Sequence, residues 1–265
     1  MSAAPIDLVQ LALGAVFVLV AGLVSLVMRL GLEKQLAIAS ARTVLQLGAV
    51  GYVLGWVFAL GSPYVVGAVL LVMVIAAAWA SVSRSSRAYP RARSTAFAVL
   101  LVVSLTTTLG ATRLIVGAEG WFTPQYVIPL LGMVLGNALT GISLCLDELL
   151  RALDEGRAKV ETELALGATR WEAARGPLRE AVRRGMIPMI NAMMVVGLVS
   201  LPGMMTGQIL EGADPQQAVR YQILVMFMLA GASALGSTLL AWLTYRQLFN
   251  DRHQLLVERI VARRE

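Results

Sequence analysis

The sequence predicts an all-α, polytopic membrane protein, and three observations carry that prediction. Hydrophobic residues make up 58% of the 265 and charged residues only 14%, where a soluble domain carries about 25% charged residues. Mean hydropathy is +0.74. The apolar residues are gathered into runs of about 20, the length a helix needs to cross the hydrocarbon core. So few charges cannot build a water-facing surface. A soluble enzyme, an ordinary nucleic-acid-binding domain and a disordered chain are excluded.

Seven such runs follow one another. The first, Asp7–Met28, is too long for a signal-peptide core, and no basic segment precedes it. The second, Leu36–Leu60, contains Gly48, Gly51 and Gly55, small residues that let neighbouring membrane helices approach closely. Tyr64–Val82, Thr95–Gly117 and Tyr126–Leu146 are the third to fifth. The sixth, Ile187–Gly207, carries Pro202-Gly203 late in its length, and Tyr221–Tyr245 is the seventh.

Lys and Arg collect in cytoplasmic connections, so their placement orients the helices. Nineteen of the 22 basic residues lie in the connections 29–35, 83–94 and 147–186 and in the tail after residue 245. The alternate links Gly61–Pro63, Ala118–Gln125 and Gln208–Arg220 are short and carry only Arg220. With seven spans, this sets the N-terminus outside and the C-terminus in the cytoplasm. The net charge of +6 thus reports orientation, not an acidic partner. Cys145 is the only cysteine and His253 the only histidine, so neither an intrachain disulfide nor a Cys/His metal cluster is available.

The longest connection, about 149–186, departs most from membrane filler. Leu149–Leu166 is rich in helix formers, and Gly167 sits where a helix ends in the left-handed conformation. Thr169 can cap the next helix, with Glu172 closing a capping box. Gly176-Pro177 is expected to break that second helix, and a basic run then leads into the sixth span. Pattern alone allows a plain charged hairpin or a docking element.

Glu161 and the run Glu163-Leu-Ala-Leu-Gly-Ala168 resemble the Glu-Ala-Ala…Gly loop of ABC transporter permeases, whose short coupling helix docks on the ATPase. The spacing from Gly167 to Ile187-Pro188 is longer than in import permeases. A second stretch, Val199-Ser-Leu-Pro-Gly-Met-Met-Thr-Gly-Gln208 through Pro215, with Ala218–Ile223, Gly31–Gln35 and Arg42–Gln46, is similar to the FetB family of ABC permeases, which is implicated in iron export and has plant relatives linked to aluminium tolerance. The resemblance covers nearly the whole chain. It implies a permease domain over 1–265 in the bacterial inner membrane, paired with a second copy and with an ABC ATPase subunit that holds ATP and Mg. It also implies ATPase coupling through Glu161, Glu163, Leu164, Ala165, Gly167, Ala168, Thr169, Trp171 and Glu172.

Proline removes a backbone donor, so the sixth span should kink or open at Pro202. A broken membrane helix is tolerated where its freed groups face protein or a water-filled cavity. Met204, Met205, Thr206 and Gln208 beside the break are therefore candidates for a substrate path or gate, with Asn191, Met193 and Met194 before it and Asn137 on the fifth span. Plain packing by adaptable methionines is the competing reading. Arg42 lies within the second span, about 9 Å from Leu36 at 1.5 Å per residue, with Gln46 one turn on. An embedded charge points to function, although arginine at that depth can also snorkel. Thioethers suit soft ions, whereas Fe(II) and Al(III) prefer oxygen and imidazole ligands. No carboxylate lies at mid-membrane depth, since Asp147 and Glu148 sit at the cytoplasmic end of the fifth span. The sequence assigns no residue as a metal ligand.

The tail, about 247–265, spaces Leu248, Phe249, Leu255, Leu256 and Ile260 among charges, as an amphipathic helix on anionic lipid would; His253 within it reads as a surface residue. No phosphate-binding loop, activated nucleophile or paired carboxylates occur. The expectation is a non-catalytic permease subunit of an ABC exporter with no cofactor of its own and no nucleic-acid partner. A stand-alone channel or secondary transporter, and a scaffold subunit without a path, are the alternatives. Few embedded titratable residues and no apparent inverted repeat weigh against the transporter.

Overall fold

Long apolar runs free of charge form long helices, because in lipid every backbone group must bond within its own segment. The computed structural model describes residues 7–116 and 123–262, and helices dominate it. They are α1 (Leu8–Val27), α2 (Glu33–Leu60), α3 (Pro63–Ser83), α4 (Ala92–Val116), α5 (Pro124–Glu155), α6 (Arg157–Ala165), α7 (Arg170–Val195), α8 (Gly203–Leu210) and α9 (Pro215–Leu248). Two short strands, β1 (Arg87–Ala88) and β2 (Val261–Ala262), pair antiparallel. Among the described residues six helices, α1 to α5 and α9, are long and apolar enough to cross a membrane. The chain is an all-helical, polytopic membrane protein.

The chain divides into two units, Met1–Ser62 with Leu210–Ala213, and Pro63–Ile209 with Asp214–Glu265. In the first, α1 and α2 are joined by a tight loop in which Arg29 and Gly31 take positive φ of 54° and 70°. Buried Ser25 holds the loop: its hydroxyl donates to Glu33 Oε1 at 2.8 Å and accepts the Leu32 amide at 3.1 Å.

In the second unit α5 is central and packs on α3, α4, α7 and α9. Its core face is mostly apolar, from Val127 through Ile142 to Leu153, with Ser143 and Glu148 also buried. Small residues set the closest approach. Gly141 on α5, Gly185 on α7 and Ser237 on α9 meet at one crossing, where a β-carbon on Gly185 would stand 2.7 Å from the Gly141 carbonyl oxygen. At about 1.5 Å per residue, α5 and α9 are longer than the roughly 30 Å hydrocarbon core. Their ends carry polar locks to the α3–α4 connection. Asp147 accepts from the Ser86 amide at 2.8 Å and the Ser86 hydroxyl at 2.7 Å, and Arg87 donates to Asp154 and Glu155. The bond to Asp154 is the chief reason that the Arg87 pKa is raised further. On α9, Gln247 donates to Thr95 and Thr244 meets the Tyr89 hydroxyl.

Several expected boundaries differ. The stretch 187–207 is divided: α7 ends at Val195, residues 196–202 are irregular, and α8 begins at Gly203. Gly176-Pro177 does not break α7, which runs through both Pro177 and Pro188. Each proline removes one amide, yet Ala173, Ala174, Leu178 and Ala181 are buried on either side of Pro177 and keep both halves seated. The helical stretch 149–166 is interrupted at Gly156, where a β-carbon would collide with the Ala152 carbonyl. The tail is not an amphipathic helix. Asn250 Oδ1 accepts the amides of Arg252 and Gln254, a local bond that competes with helix formation, and His253 takes a positive φ of 56°. Leu248, Phe249 and Leu255 are buried, and only one 3₁₀ turn, Val257–Arg259, follows before β2. Of the expected link Ala118–Gln125, residues 118–122 lie outside the described residues, as do Arg263 and Arg264 of the tail.

Candidate functional site

Two regions gather the predicted residues. The first surrounds the break after α7. Val196 leaves the helix with ψ at 134°, and Gly197 turns the chain with φ at +84°. The amides freed by the break are not abandoned: Leu198, Val199 and Ser200 all point theirs at the Val195 carbonyl, and Gly197 donates to Ser200 at 2.9 Å. Pro202 then opens α8, and its carbonyl accepts both the amide and the hydroxyl of Thr206. The expected opening at Pro202 is therefore present, starting six residues earlier at Val196.

Two cavities flank this break, walled by α5, α7, α8 and α9. One, about 280 Å³, is lined by Met133, Asn137, Met189, Ser200, Pro202, Met204 and Gln222 among others. The other, about 520 Å³, is lined by Met193, Leu201, Pro202, Met205, Gln222 and Met226 among others. Pro202, Gln222 and Met226 face both. Gln222 is buried, and its Oε1 has no hydrogen-bond partner among the described residues. The Asn137 amide nitrogen donates within its own helix, to Met133. The lining is largely aliphatic, with Phe227, several thioethers, the amides of Asn137 and Gln222 and the Ser200 hydroxyl, and no ionisable group. Such walls can hold a soft or weakly charged species and give a hard trivalent ion no carboxylate. No group of three or more His, Cys, Asp or Glu that could hold a metal occurs among the described residues.

Asn137, Met193, Pro202, Met204 and Met205 are thus brought together. Asn191 and Met194 lie exposed on α7 and line neither cavity. Thr206 is engaged with Pro202, and Gln208 buries its Oε1 without a partner among the described residues. Arg42 and Gln46 are exposed on α2, in the other unit. Gln222 was not among the expected residues. Its signal was a glutamine one place inside the apolar run that begins at Tyr221.

The second region is the hairpin of α6 and α7. Gly167, with φ at +96°, lets the chain turn. The Gly167 amide donates to Leu164 and the Ala168 amide to Glu163, the paired bonds of a Schellman ending. Thr169 and Glu172 form the reciprocal capping box. The Thr169 amide, and then its hydroxyl, hold the Glu172 carboxyl below its ordinary range. Glu161 pairs with Arg157 at 2.7 Å, and Ala165 ends α6. Leu166 is 83% exposed and Trp171 is half exposed, its ring packed edge-on against Tyr245 with the ring centroids 5.8 Å apart.

The tail braces this hairpin. Arg170 donates to the Asn250 carbonyl at 3.0 Å and to Asp251 at 2.8 Å. His253 Nδ1 accepts the Arg170 backbone amide at 3.0 Å. His253 is exposed, as read from the sequence, but it supplies an acceptor at the first turn of α7. The turn-forming Asn250-Asp251 was the signal for this brace.

The family model described as "Uncharacterised protein family (UPF0014)" matches residues 8–249. A UPF0014 membrane protein of Synechocystis is 43% identical over 86% of this chain and 88% of its own length. The "Probable iron export permease protein FetB" of Escherichia coli is 36% identical over 95% of each chain. The "Protein ALUMINUM SENSITIVE 3" of Arabidopsis thaliana is 34% identical over 94% of this chain and 89% of its own. No solved structure matches.

Proposed function

This chain belongs to the UPF0014 family of membrane proteins, and from that membership we propose that it is the permease subunit of an ABC exporter in a bacterial inner membrane. The relative named as an iron export permease supports iron, or a related metal species, as cargo. Two copies would pair with two ATPase subunits that hydrolyse ATP. The reading keeps seven crossings, with the N-terminus outside and the C-terminus in the cytoplasm. The seventh crossing is the apolar half of α7 together with the 196–202 break and α8.

The observation that carries the proposal is the rigid hairpin on the arginine-rich end. Its turn is closed by a Schellman ending and a capping box, and an exposed Leu166 stands at its tip. Such an element transmits a push instead of absorbing it. α7 runs without interruption from that hairpin to the break at Val196. Closure of the ATPases would move Leu164–Trp171, and α7 would carry the motion to the cavities around Pro202. The cargo would pass there as a soft ion or as a complex, since the walls offer no carboxylate.

The test is affinity purification from native membranes of the intact chain and of Gly167→Asp, with partners identified by mass spectrometry. Gly167 has open space around it, so the substitution strains a left-handed turn without a clash. An ATPase subunit retained by the intact chain and lost from the variant supports coupling at this hairpin. Absence of an ATPase from both samples overturns it, and gradient-driven flux through the purified chain alone would then support a stand-alone transporter.

A further inference from the structure

A groove of about 360 Å³ lies between α7 and α9, apart from the cavities at the break. Its floor is mostly apolar, made by Leu178, Val182 and Ala241 with Thr238, and its rim carries Arg175, Arg179, Trp171 and Trp242. Arg175 and Arg179 are four residues apart, so they project from one face of α7. Both are exposed. Neither takes part in an ion pair or a side-chain hydrogen bond among the described residues, whereas Arg183 on the same helix pairs with Glu180. Two cations over an apolar floor therefore face outward without an anion.

The depth of the groove along the bundle follows from packing. Gly185 of α7 meets Ser237 of α9, so the next turns toward the arginine-rich end bring Leu178 and Val182 level with Ala241 and Trp242. Trp242 is three residues before Tyr245, the end of the apolar run, or about 4.5 Å. Its ring carries the Arg246 guanidinium at 4.7 Å, and Trp79 carries that of Arg93 at 4.6 Å. The bond from Gln247 to Thr95 puts those two arginine–tryptophan pairs at the same end of the bundle. Tryptophan concentrates where hydrocarbon meets headgroups. The groove thus spans that boundary, with its floor on the hydrocarbon side.

We propose that the groove between α7 and α9 binds an anionic phospholipid, with the phosphate held by Arg175 and Arg179 and the acyl chains laid along Leu178, Val182 and Ala241. Charge complementarity selects the occupant: a zwitterionic lipid brings its own cation to the arginines, and a protein helix would need acidic residues facing them. Basic pockets between membrane helices take anionic headgroups in this way. A lipid held there touches the length of α7 that lies between the hairpin and the break.

The test uses the full chain in neutral detergent, without an ATPase, so its outcome is independent of the exporter reading. Native mass spectrometry follows titration with phosphatidylglycerol or phosphatidylcholine. The intact chain is expected to retain phosphatidylglycerol in preference. In R175Q/R179Q its affinity should fall by about 25-fold, since each arginine near anionic headgroups contributes a factor of about five. R183Q/R184Q, which removes the same charge from α7 outside the groove, should leave the affinity nearly unchanged. Equal weakening in both double variants, or no weakening in either, overturns the proposal, and so does displacement of the lipid by millimolar inorganic phosphate, which would mark a free-anion site. Retention of a second copy in place of lipid also overturns it. A second measurement needs no arginine variant. Phosphatidylglycerol brominated on its chains should quench tryptophan emission more than brominated phosphatidylcholine does, and the excess should vanish in Trp171→Phe/Trp242→Phe, the two tryptophans that line the groove. Equal quenching by the two lipids overturns the proposal.

Discussion

The Ser237 hydroxyl on α9 stands 2.6 Å from the point that a β-carbon on Gly185 of α7 would occupy. With the Gly141 carbonyl 2.7 Å away on the other side, the crossing has no space for a methyl group. Gly185→Ala is therefore expected to destabilise the bundle by about 1–3 kcal/mol, the range for overpacked cores. Adding Ser237→Ala should recover only part of this, because the Gly141 carbonyl is backbone and stays. Thermal midpoints of the three proteins in one detergent decide the matter; a midpoint unmoved by Gly185→Ala would show that the helices separate freely.

Gln222 buries an acceptor with no partner among the described residues where both cavities meet. An unsatisfied buried polar group is a cost to folding, so Gln222→Leu is expected to leave the midpoint equal or higher. Metal efflux from cells should nevertheless fall about tenfold if the amide meets cargo, a loss of roughly 1.4 kcal/mol. Full efflux with unchanged stability would remove Gln222 from the path.

Glu172 titrates below its ordinary value because Thr169 donates its amide and its hydroxyl to the carboxylate. A carboxyl with a depressed folded pKa stabilises above its unfolded pKa, and the contribution is lost as pH falls through the folded pKa. Hydrogen-exchange protection of the first turn of α7, corrected for intrinsic rate, should therefore be level near neutrality and decline on the acid side. In Glu172→Gln that acid-side decline should be absent.

Thr169→Ala removes the acceptor for the Glu172 amide and is expected to cost about 1 kcal/mol of local stability. Faster exchange should be confined to the amides of Arg170–Ala173, with Leu178 and beyond unaffected. Spread of the effect along α7 would mean that the helix unfolds as one unit.

The long apolar runs were legible because lipid leaves the backbone no alternative to helix. So were the Gly167 turn and the Thr169–Glu172 cap, which are local: their partners lie within a few residues. The features that were missed depend on distant partners. Pro177 reads as a breaker until Ala174 and Leu178 are seen seated on the bundle. The tail reads as amphipathic because Leu248, Phe249 and Leu255 are spaced among charges, but they are buried in this fold rather than laid on lipid. At the break, the sequence pointed to Pro202 and its neighbouring methionines. It could not pair them with Gln222, which stands across the cavities on α9, or exclude Asn191 and Met194, which occupy the other side of α7.

The tail's hold on Arg170 also fixes an order of assembly. Arg170 and its acceptor at Asn250 are 80 positions apart in the chain, and β2, which clasps β1, follows later still. At about 5–20 residues per second a ribosome takes roughly 4 to 16 s to cover that distance. From the completion of α7 at Val195 to the end of that interval, its first turn lacks the tail and β1 has no partner strand. The helices can therefore settle in the bilayer well before the hairpin acquires its final brace.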